Sequence, residues 1–310
     1  MSRLKIAIAA VVLVAVAAVL LLWPRADYSG GRIISTSFVG YDFARAVAGT
    51  DKEMRLLLKP GTDMHSYEPS PQDIIDIQKS QLFIYIGGES EEWVERLLEN
   101  NEIPAEKTLR LMDFVELKKE EITDDMKGEG FEEEDEYDEH IWTSPKNAML
   151  LVNAIRDKLT SINYDDPTMM DQNAKNYNNH LSQIDEHIRE IVEKSEKKVL
   201  VFADRFPFRY LVDEYGLHYV AAFPGCAEQT EASSQTISRL ISATFGLGVK
   251  GVLKIELSSS TLADTVAEAA GVQVYTLHSA HNITMEDYAN GITYANIMDA
   301  NVVVLSEVLN

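Results

Sequence analysis

Short apolar segments alternate with amphipathic helical segments along most of this chain, and this alternation restricts its fold more than any other feature. In the first half, Arg32–Phe38, Met54–Leu58 and Leu82–Ile86 are predicted strands, and each is followed by a predicted helix. The second half has four more predicted strands: Lys198–Phe202, His218–Ala222, Gly251–Ile255 and Val272–Leu277. Strands that alternate with helices form βαβ units on a parallel sheet. The pattern therefore predicts an α/β fold with parallel-type sheets and flanking helices.

A long helical segment separates the two halves. Residues 167–197 contain no glycine. Their apolar residues recur at three- and four-residue spacing: Leu181, Ile184, Ile188, Ile191 and Val192. This spacing predicts a helix with one apolar face, and about 28 residues would span roughly 40 Å. We therefore expect two α/β lobes joined by one long backbone helix.

These patterns divide the chain into four segments. We expect an N-terminal signal-anchor and linker at 1–30, and an N-terminal α/β lobe at 31–165 that includes an acidic loop at 118–139. A linking helix is predicted at 166–197, followed by a C-terminal α/β lobe at 198–310. The acidic loop is predicted to be solvated and mobile, because runs of like charge repel and bury little apolar surface.

The N-terminus predicts attachment to a membrane. Residues 6–23 are apolar without interruption behind Arg3 and Lys5, and this length is near the lower limit for a membrane-spanning helix. Basic residues before such a segment favour export of the remainder. The chain's single cysteine, Cys226, lies far from this segment, which argues against a lipid anchor. We expect an uncleaved signal-anchor that places the protein on the extracytoplasmic side of the cell membrane, with a cleaved signal peptide as the alternative.

The charge balance excludes one class of function. The chain has 50 acidic and 28 basic side chains, and its net charge is −22. A field of this sign repels nucleic acid and attracts cations to the surface. Nucleic-acid binding is therefore excluded.

Four of the seven histidines lie in predicted loops, and these could bind a metal. They are His65, His140, His278 and His281. Open α/β sheets bind ligands in crevices at the carboxyl ends of their strands, so loops of the two lobes could bring these imidazoles together. Three or four imidazoles suit tetrahedral Zn²⁺, with bonds of about 2.0–2.1 Å, although imidazole alone does not exclude other transition metals. The other three histidines are predicted to be exposed or structural: His180, His187 and His218.

Four further segments carry a family resemblance. They are PGTDMHSYEPSPQDI, EHIWTSPKNA, FADRFPFRYLVDEYGLHYVAAFPG and YANGITYANIMDAN. These segments resemble the zinc/manganese-specific substrate-binding proteins of ABC transporters, the ZnuA-like group, in collinear order over roughly residues 32–310. The resemblance implies two lobes bridged by a rigid helix, with the metal bound between them. It also matches His65 and His140 to the two ligands of the N-terminal lobe.

The resemblance leaves the ligands of the C-terminal lobe open. The family usually has a His or Glu after the first strand of this lobe, where this chain has Ala203 followed by Asp204. It usually has an Asp after the fourth strand, where this chain has His278 and His281. The resemblance also matches Glu256 to a family glutamate that could orient a ligand histidine from behind.

Two ligand sets therefore remain open. We expect His65, His140, His278 and His281 to form the site. In the alternative, only one of His278 and His281 binds, and Asp204 or water completes the coordination. Imidazoles alone would favour Zn²⁺, whereas a carboxylate ligand would favour Mn²⁺.

The expected function is capture of a divalent metal, Zn²⁺ or alternatively Mn²⁺, and its delivery to an ABC transporter permease. We expect a monomer that catalyses no reaction. A metal-dependent surface adhesin is one alternative, and a metallohydrolase is a weaker one. The sequence has no HExxH motif, and a catalytic zinc site requires an open coordination position beside a general base.

Overall fold

The computed structural model describes residues 32–310 except 51, 63, 65–66, 101, 129–130, 132–135 and 228–230. The N-terminal lobe contains, in chain order, β1 (Ile33–Ser35), α1 (Phe38–Ala48), β2 (Met54–Leu56), α2 (Pro71–Lys79), β3 (Leu82–Tyr85), α3 (Glu92–Glu99), β4 (Thr108–Arg110), α4 (Asp124–Lys127) and α5 (Pro145–Ser161). The linking helix is α6 (Pro167–Lys194). The C-terminal lobe contains β5 (Val199–Phe206), α7 (Arg209–Tyr215), β6 (His218–Pro224), α8 (Ser234–Leu247), β7 (Gly251–Lys254), α9 (Thr261–Ala270), β8 (Gln273–Thr276), α10 (Met285–Ala289) and α11 (Tyr294–Leu309).

Each lobe is built on a four-stranded parallel sheet. The strand order is β2-β1-β3-β4 in the N-terminal lobe and β6-β5-β7-β8 in the C-terminal lobe. All paired strands run parallel. Helices between consecutive strands supply the crossover connections that parallel pairing requires. The predicted fold of two α/β lobes joined by a long helix is confirmed.

Local capping signals define where the main helices begin. Ser70 accepts a hydrogen bond from the Asp73 N–H and forms a capping box, with Pro71 in the first turn of α2. The Ser144 side chain accepts the Asn147 N–H at the start of α5, again with a proline in the first turn. Asp166 caps α6, which continues for 28 residues. These side chains satisfy backbone N–H groups that have no partner inside the helix, so the helix starts are encoded locally.

One apolar core continues from the N-terminal lobe into the C-terminal lobe. It includes Phe43 of α1, Leu181 of α6 and Tyr294 of α11, each of them fully buried. The outer face of each sheet has its own smaller core beneath the remaining helices. A large apolar interface opposes independent movement of domains, because opening it would expose this surface to water.

Several elements differ from their predictions. β4 is a three-residue strand that has no recognisable sequence signal, and β5 continues four residues beyond the predicted end at Phe202. The last helical segment of the chain is divided into two helices, α10 and α11, which are separated near Gly291, a residue with φ +72°. A left-handed residue interrupts a right-handed helix, and glycine adopts this conformation at little cost.

The ends of the acidic loop are not solvated, which corrects the prediction for this segment. Asp138 and Glu139 are 1% and 2% exposed. The Tyr210 hydroxyl donates to the Asp138 carbonyl (2.8 Å), and Glu120 accepts a hydrogen bond from the Cys226 N–H (2.9 Å). These contacts hold the loop ends against the C-terminal lobe. Such partners are distant in sequence, so charge density alone could not predict them.

No helix in the described part of the chain is long and apolar enough to cross a membrane. The apolar segment at residues 6–23, predicted to be a signal-anchor, lies outside the described residues.

Candidate metal centre

Two of the predicted ligands, His140 and His281, meet between the lobes. Their ring centroids are 5.3 Å apart, and the ring planes are inclined by 55°. Two imidazoles that share one tetrahedral zinc have ring centres about 5 Å apart, given Zn–N bonds of about 2.0–2.1 Å. The observed spacing therefore fits a shared metal ion, although the two residues are 141 positions apart in the chain.

Asp138 holds the ring of His140. Asp138 Oδ1 accepts the backbone N–H of His140 (2.8 Å) and lies 3.2 Å from its ring Nδ1. If Nδ1 carries the proton donated to Asp138, the lone pair of the neutral ring is on Nε2, the nitrogen that would bind a metal. Burial alone would lower the pKa of His140, but the carboxylates of Asp138, Glu139 and Glu120 raise it above its usual value. The same negative charge would attract a metal cation.

Trp142 connects this half of the centre to the C-terminal lobe. Its indole N–H donates to the Ser279 carbonyl (2.7 Å), and its own carbonyl accepts the Tyr294 hydroxyl (2.6 Å). The ring lies 5.5 Å from the His140 ring and 6.1 Å from the His281 ring. Trp142 is fully buried, so it closes one side of the centre to water.

Glu256 holds the loop that carries His281. Its carboxylate accepts hydrogen bonds from Ser279 N (2.7 Å), Ser279 Oγ (2.6 Å) and Asn282 N (3.3 Å). The His281 N–H donates to Ser279 Oγ (3.2 Å). Ala280 adopts φ +59°, which is unfavourable for a residue with a Cβ, so the loop needs these bonds to keep its shape. Glu256 therefore positions the loop of His281 as a whole.

His278 is placed differently from His281. Its Nδ1 accepts the N–H of Ala280 (3.0 Å) and lies 3.6 Å from Glu256 Oε2. A neutral imidazole that accepts at Nδ1 carries its proton on Nε2, so it has no second lone pair for a metal. Metal binding by His278 would require this hydrogen bond to break. His278 stays a predicted ligand, and its geometry favours the alternative in which His281 alone binds from this loop.

Ala203 and Asp204 lie within β5, whereas the sequence placed them in a loop after that strand. Ala203 is buried, and Asp204 Oδ1 accepts the Arg205 N–H (2.8 Å). Asp204 Oδ2 accepts the Ile255 N–H (3.0 Å) and the Ser258 hydroxyl. The carboxylate of Asp204 is therefore used to join β5 to the segment after β7.

His65 lies outside the described residues, so its predicted role as a ligand stays a prediction. Among the residues that are described, no group of three or more His, Cys, Asp and Glu side chains could hold a metal ion. Within the described residues, the structure therefore brings together only two of the predicted ligands, His140 and His281.

Asp138 and Trp142 were not among the residues predicted for this site. Both lie two residues from His140, on opposite sides of it. A carboxylate two residues before a candidate ligand is a signal that could have been used, because it can orient the ring of that ligand. The role of Trp142 has no local signal, because its partners Ser279 and Tyr294 belong to the other lobe.

A pair of buried acids supports the backbone behind His140. Glu139 Oε1 accepts the Ser90 N–H (2.8 Å), and Glu91 Oε2 accepts the Gly87 N–H (2.7 Å). Gly88 has φ +97°, and a Cβ there would lie 2.5 Å from Glu139 Oε1, so only glycine fits. Burial raises the pKa of Glu91 to about 7, and the nearby Glu139 contributes to the increase.

Glu91 should make the protein less stable as the pH rises. The folded state holds a proton on Glu91 up to about pH 7, whereas an unfolded glutamate releases it near pH 4.3. The stability from this proton is present at low pH and is lost between these values, at a cost of about 4 kcal/mol. In urea denaturation, the difference in free energy of unfolding between Glu91→Gln and wild type should increase in favour of the variant as the pH rises from 5 to 8. The exposed neighbour Glu92→Gln is the control, and a difference independent of pH would contradict the prediction.

Comparison with known proteins assigns the family. Residues 33–308 match the family described as ZnuA, zinc-uptake complex component A periplasmic. The zinc-binding lipoprotein AdcA of Streptococcus pneumoniae is 30% identical over 279 residues, which cover 89% of this chain and 55% of AdcA. The high-affinity zinc uptake system protein ZnuA of Bacillus subtilis is 28% identical over 298 residues, covering 92% of this chain and 90% of that protein.

A solved structure supports the same assignment. The crystal structure of the Zn(II)-bound ZnuA-like domain of Streptococcus pneumoniae AdcA has a TM-score of 0.74 and 28% identity, covering 90% of this chain and 98% of that domain. The chain spans about half the length of the AdcA protein that it matches. The family match extends over both lobes and the linking helix, so this chain belongs to the ZnuA family, zinc-uptake complex component A periplasmic.

Proposed function

We propose that this chain captures Zn²⁺ outside the cytoplasm and delivers it to the permease of an ABC transporter. One observation carries the proposal: His140 and His281, from opposite lobes, lie at the ring spacing of two ligands on one tetrahedral zinc. The family and the relatives named for zinc supply the identity of the cargo. They also favour an importer component over a surface adhesin.

The proposed ligands are His65, His140 and His281, with His278 as a fourth candidate. The contact of His140 with Asp138 and the bracing of the His281 loop by Glu256 support the two central assignments. The engaged carboxylate of Asp204 makes water the better candidate to complete a three-histidine set. A site of imidazoles favours Zn²⁺ over Mn²⁺.

Capture would follow from charge and burial. The net charge of −22 attracts cations, and Asp138 adds negative charge directly behind His140. His140 is fully buried, so a bound ion there would exchange slowly with water. Binding displaces a proton wherever a ligand histidine is protonated, so zinc affinity should fall in acid. Release would require the permease to separate contacts between the lobes.

The remaining features of the proposal concern the whole chain. We propose an extracytoplasmic monomer that is anchored to the membrane by its N-terminal segment. Its four parts are the signal-anchor and linker at 1–30, the N-terminal lobe at 31–165, the linking helix at 166–197 and the C-terminal lobe at 198–310. We also propose that it is not an enzyme. Glu139 is the carboxylate beside His140, and its Oε1 accepts the Ser90 N–H, which leaves it poorly placed as a general base.

A competition titration with a zinc chelator tests the proposal. The purified full chain should bind one Zn²⁺, more tightly than Mn²⁺, and should remain folded after the metal is removed. Unfolding on metal removal would instead indicate a structural zinc, as in the adhesin alternative. Metal-dependent cleavage of model esters or peptides would indicate a hydrolase. Failure to bind any Zn²⁺ would refute the proposal.

A further inference from the structure

A direct bridge joins the His281 loop to the N-terminal lobe at the edge of the metal centre. The side-chain amide of Asn282 donates to the Thr62 carbonyl (2.5 Å). Its oxygen accepts the Gly61 N–H (2.8 Å). Both ends of one amide therefore hold adjacent backbone groups of the opposite lobe.

The two sides of this bridge carry proposed ligands. Asn282 follows His281 directly, and Thr62 lies three residues before His65. A cavity beside the bridge is lined by Gly61, Asn282 and His281 together with Arg205 and Glu256. The bridge thus lies at an opening next to the centre.

The C-terminal side of the bridge is rigidly supported. Glu256 accepts the backbone N–H of Asn282 and two hydrogen bonds from Ser279. The Trp142 indole holds the Ser279 carbonyl from the other lobe. Because the base of the loop is fixed, breaking the Asn282 bridge would free the segment at Gly61–Thr62 while leaving His281 in place.

The N-terminal side depends on its backbone conformation. Gly61 has φ +87°, and a Cβ at this position would have no atom within 4 Å. Glycine is therefore favoured here because of the backbone conformation and not because of close packing. In this conformation, the Gly61 N–H donates a hydrogen bond to the side-chain oxygen of Asn282. Asparagine suits the position because one amide supplies a donor and an acceptor together.

We propose that Asn282 is a latch: it ties the loop of His281 to the segment that precedes His65, and thereby sets how slowly the cargo ion leaves. The inference rests on the proposed function and adds a positioning residue that binds no metal. Loss of two hydrogen bonds across the opening should speed dissociation about tenfold. Association should change little, because long-range charge steers the ion toward the site.

An alternative role for Asn282 lies within its own loop, because its side-chain oxygen also accepts the Ile283 N–H (2.8 Å). Two variants separate the roles. Asn282→Ala removes every side-chain bond. Asn282→Asp keeps the acceptor for Gly61 and Ile283 but loses the donor and directs negative charge at the Thr62 carbonyl. The added charge alone would retain a cation more strongly, so faster release from Asn282→Asp would identify the latch.

The experiment measures zinc release in a stopped-flow mixer, with zinc-loaded full chain against excess chelator. Wild type, Asn282→Ala, Asn282→Asp and the exposed control Asn290→Ala should each bind one Zn²⁺. We expect both Asn282 variants to release it about tenfold faster than wild type and Asn290→Ala, at unchanged association rates. If Asn282→Ala, or Asn282→Asp alone, released zinc at the wild-type rate, the latch would be overturned while the proposed function stayed intact. Absence of zinc binding by wild type would overturn both.

Discussion

His140→Ala should raise the zinc dissociation constant by more than about 100-fold, because losing only a partner of a ligand already costs 10–100-fold. The substitution removes a fully buried ring whose Nδ1 is held by Asp138 and which packs against Trp142 in an edge-to-face arrangement. Competition titration with a chelator measures the change.

The matched control for this variant is His187→Ala. His187 is an exposed histidine on α6, so its removal should leave zinc affinity unchanged. Thermal unfolding of metal-free protein establishes that both variants are folded. Wild-type affinity in a folded His140→Ala protein would contradict the assignment of His140 as a ligand.

Asp42→Ala should lower the free energy of unfolding by about 3 to 5 kcal/mol, the cost of removing one partner from a buried ion pair. Asp42 is 1% exposed and pairs with Arg45 (2.7 Å) on α1. It also accepts the Tyr177 hydroxyl of α6 (2.7 Å) and the Tyr294 N–H of α11 (2.9 Å). One carboxylate therefore joins the two lobes and the linking helix, and its loss leaves the buried Tyr294 N–H and two partly buried side-chain donors without that acceptor.

Urea denaturation of metal-free protein measures this effect. The control is Asp171→Ala, which removes an exposed carboxylate of α6 that pairs with Lys175. Exposed pairs of this kind contribute little, so the control should unfold at the wild-type urea concentration. If Asp42→Ala unfolded at the same urea concentration as Asp171→Ala, the contacts of Asp42 would not stabilise the junction of the lobes.

The sequence predicted best those features that arise from neighbouring residues. Ser70 and Ser144 begin their helices through bonds to N–H groups three residues on, so these helix starts depend on near neighbours in the sequence. The length of α6 follows from its continuous apolar face and the absence of glycine. β4 was missed because its three residues depend on pairing with β3, which supplies the partners that its own sequence does not specify.

Errors in the candidate site have the same origin. Asp204 appeared to follow a strand, but pairing with β6 extends β5 past it, and the Ile255 N–H and Ser258 hydroxyl occupy its carboxylate. Asp138 and Glu139 belong to an acidic run that is typical of solvated loops. Contacts with the other lobe and with Ser90 bury them instead.

By itself, the sequence determined the class of fold, the two lobes with their linking helix, and four histidines in loops where a metal could bind. Only the tertiary structure decided that His140 and His281 meet, that Asp138 holds the first and Glu256 the loop of the second, and that Asn282 joins this loop to the other lobe. Helices form from bonds between near neighbours, and the buried faces of helices and strands recur at spacings that the sequence displays directly. The centre forms from residues more than a hundred positions apart, and packing of the lobes brings them together.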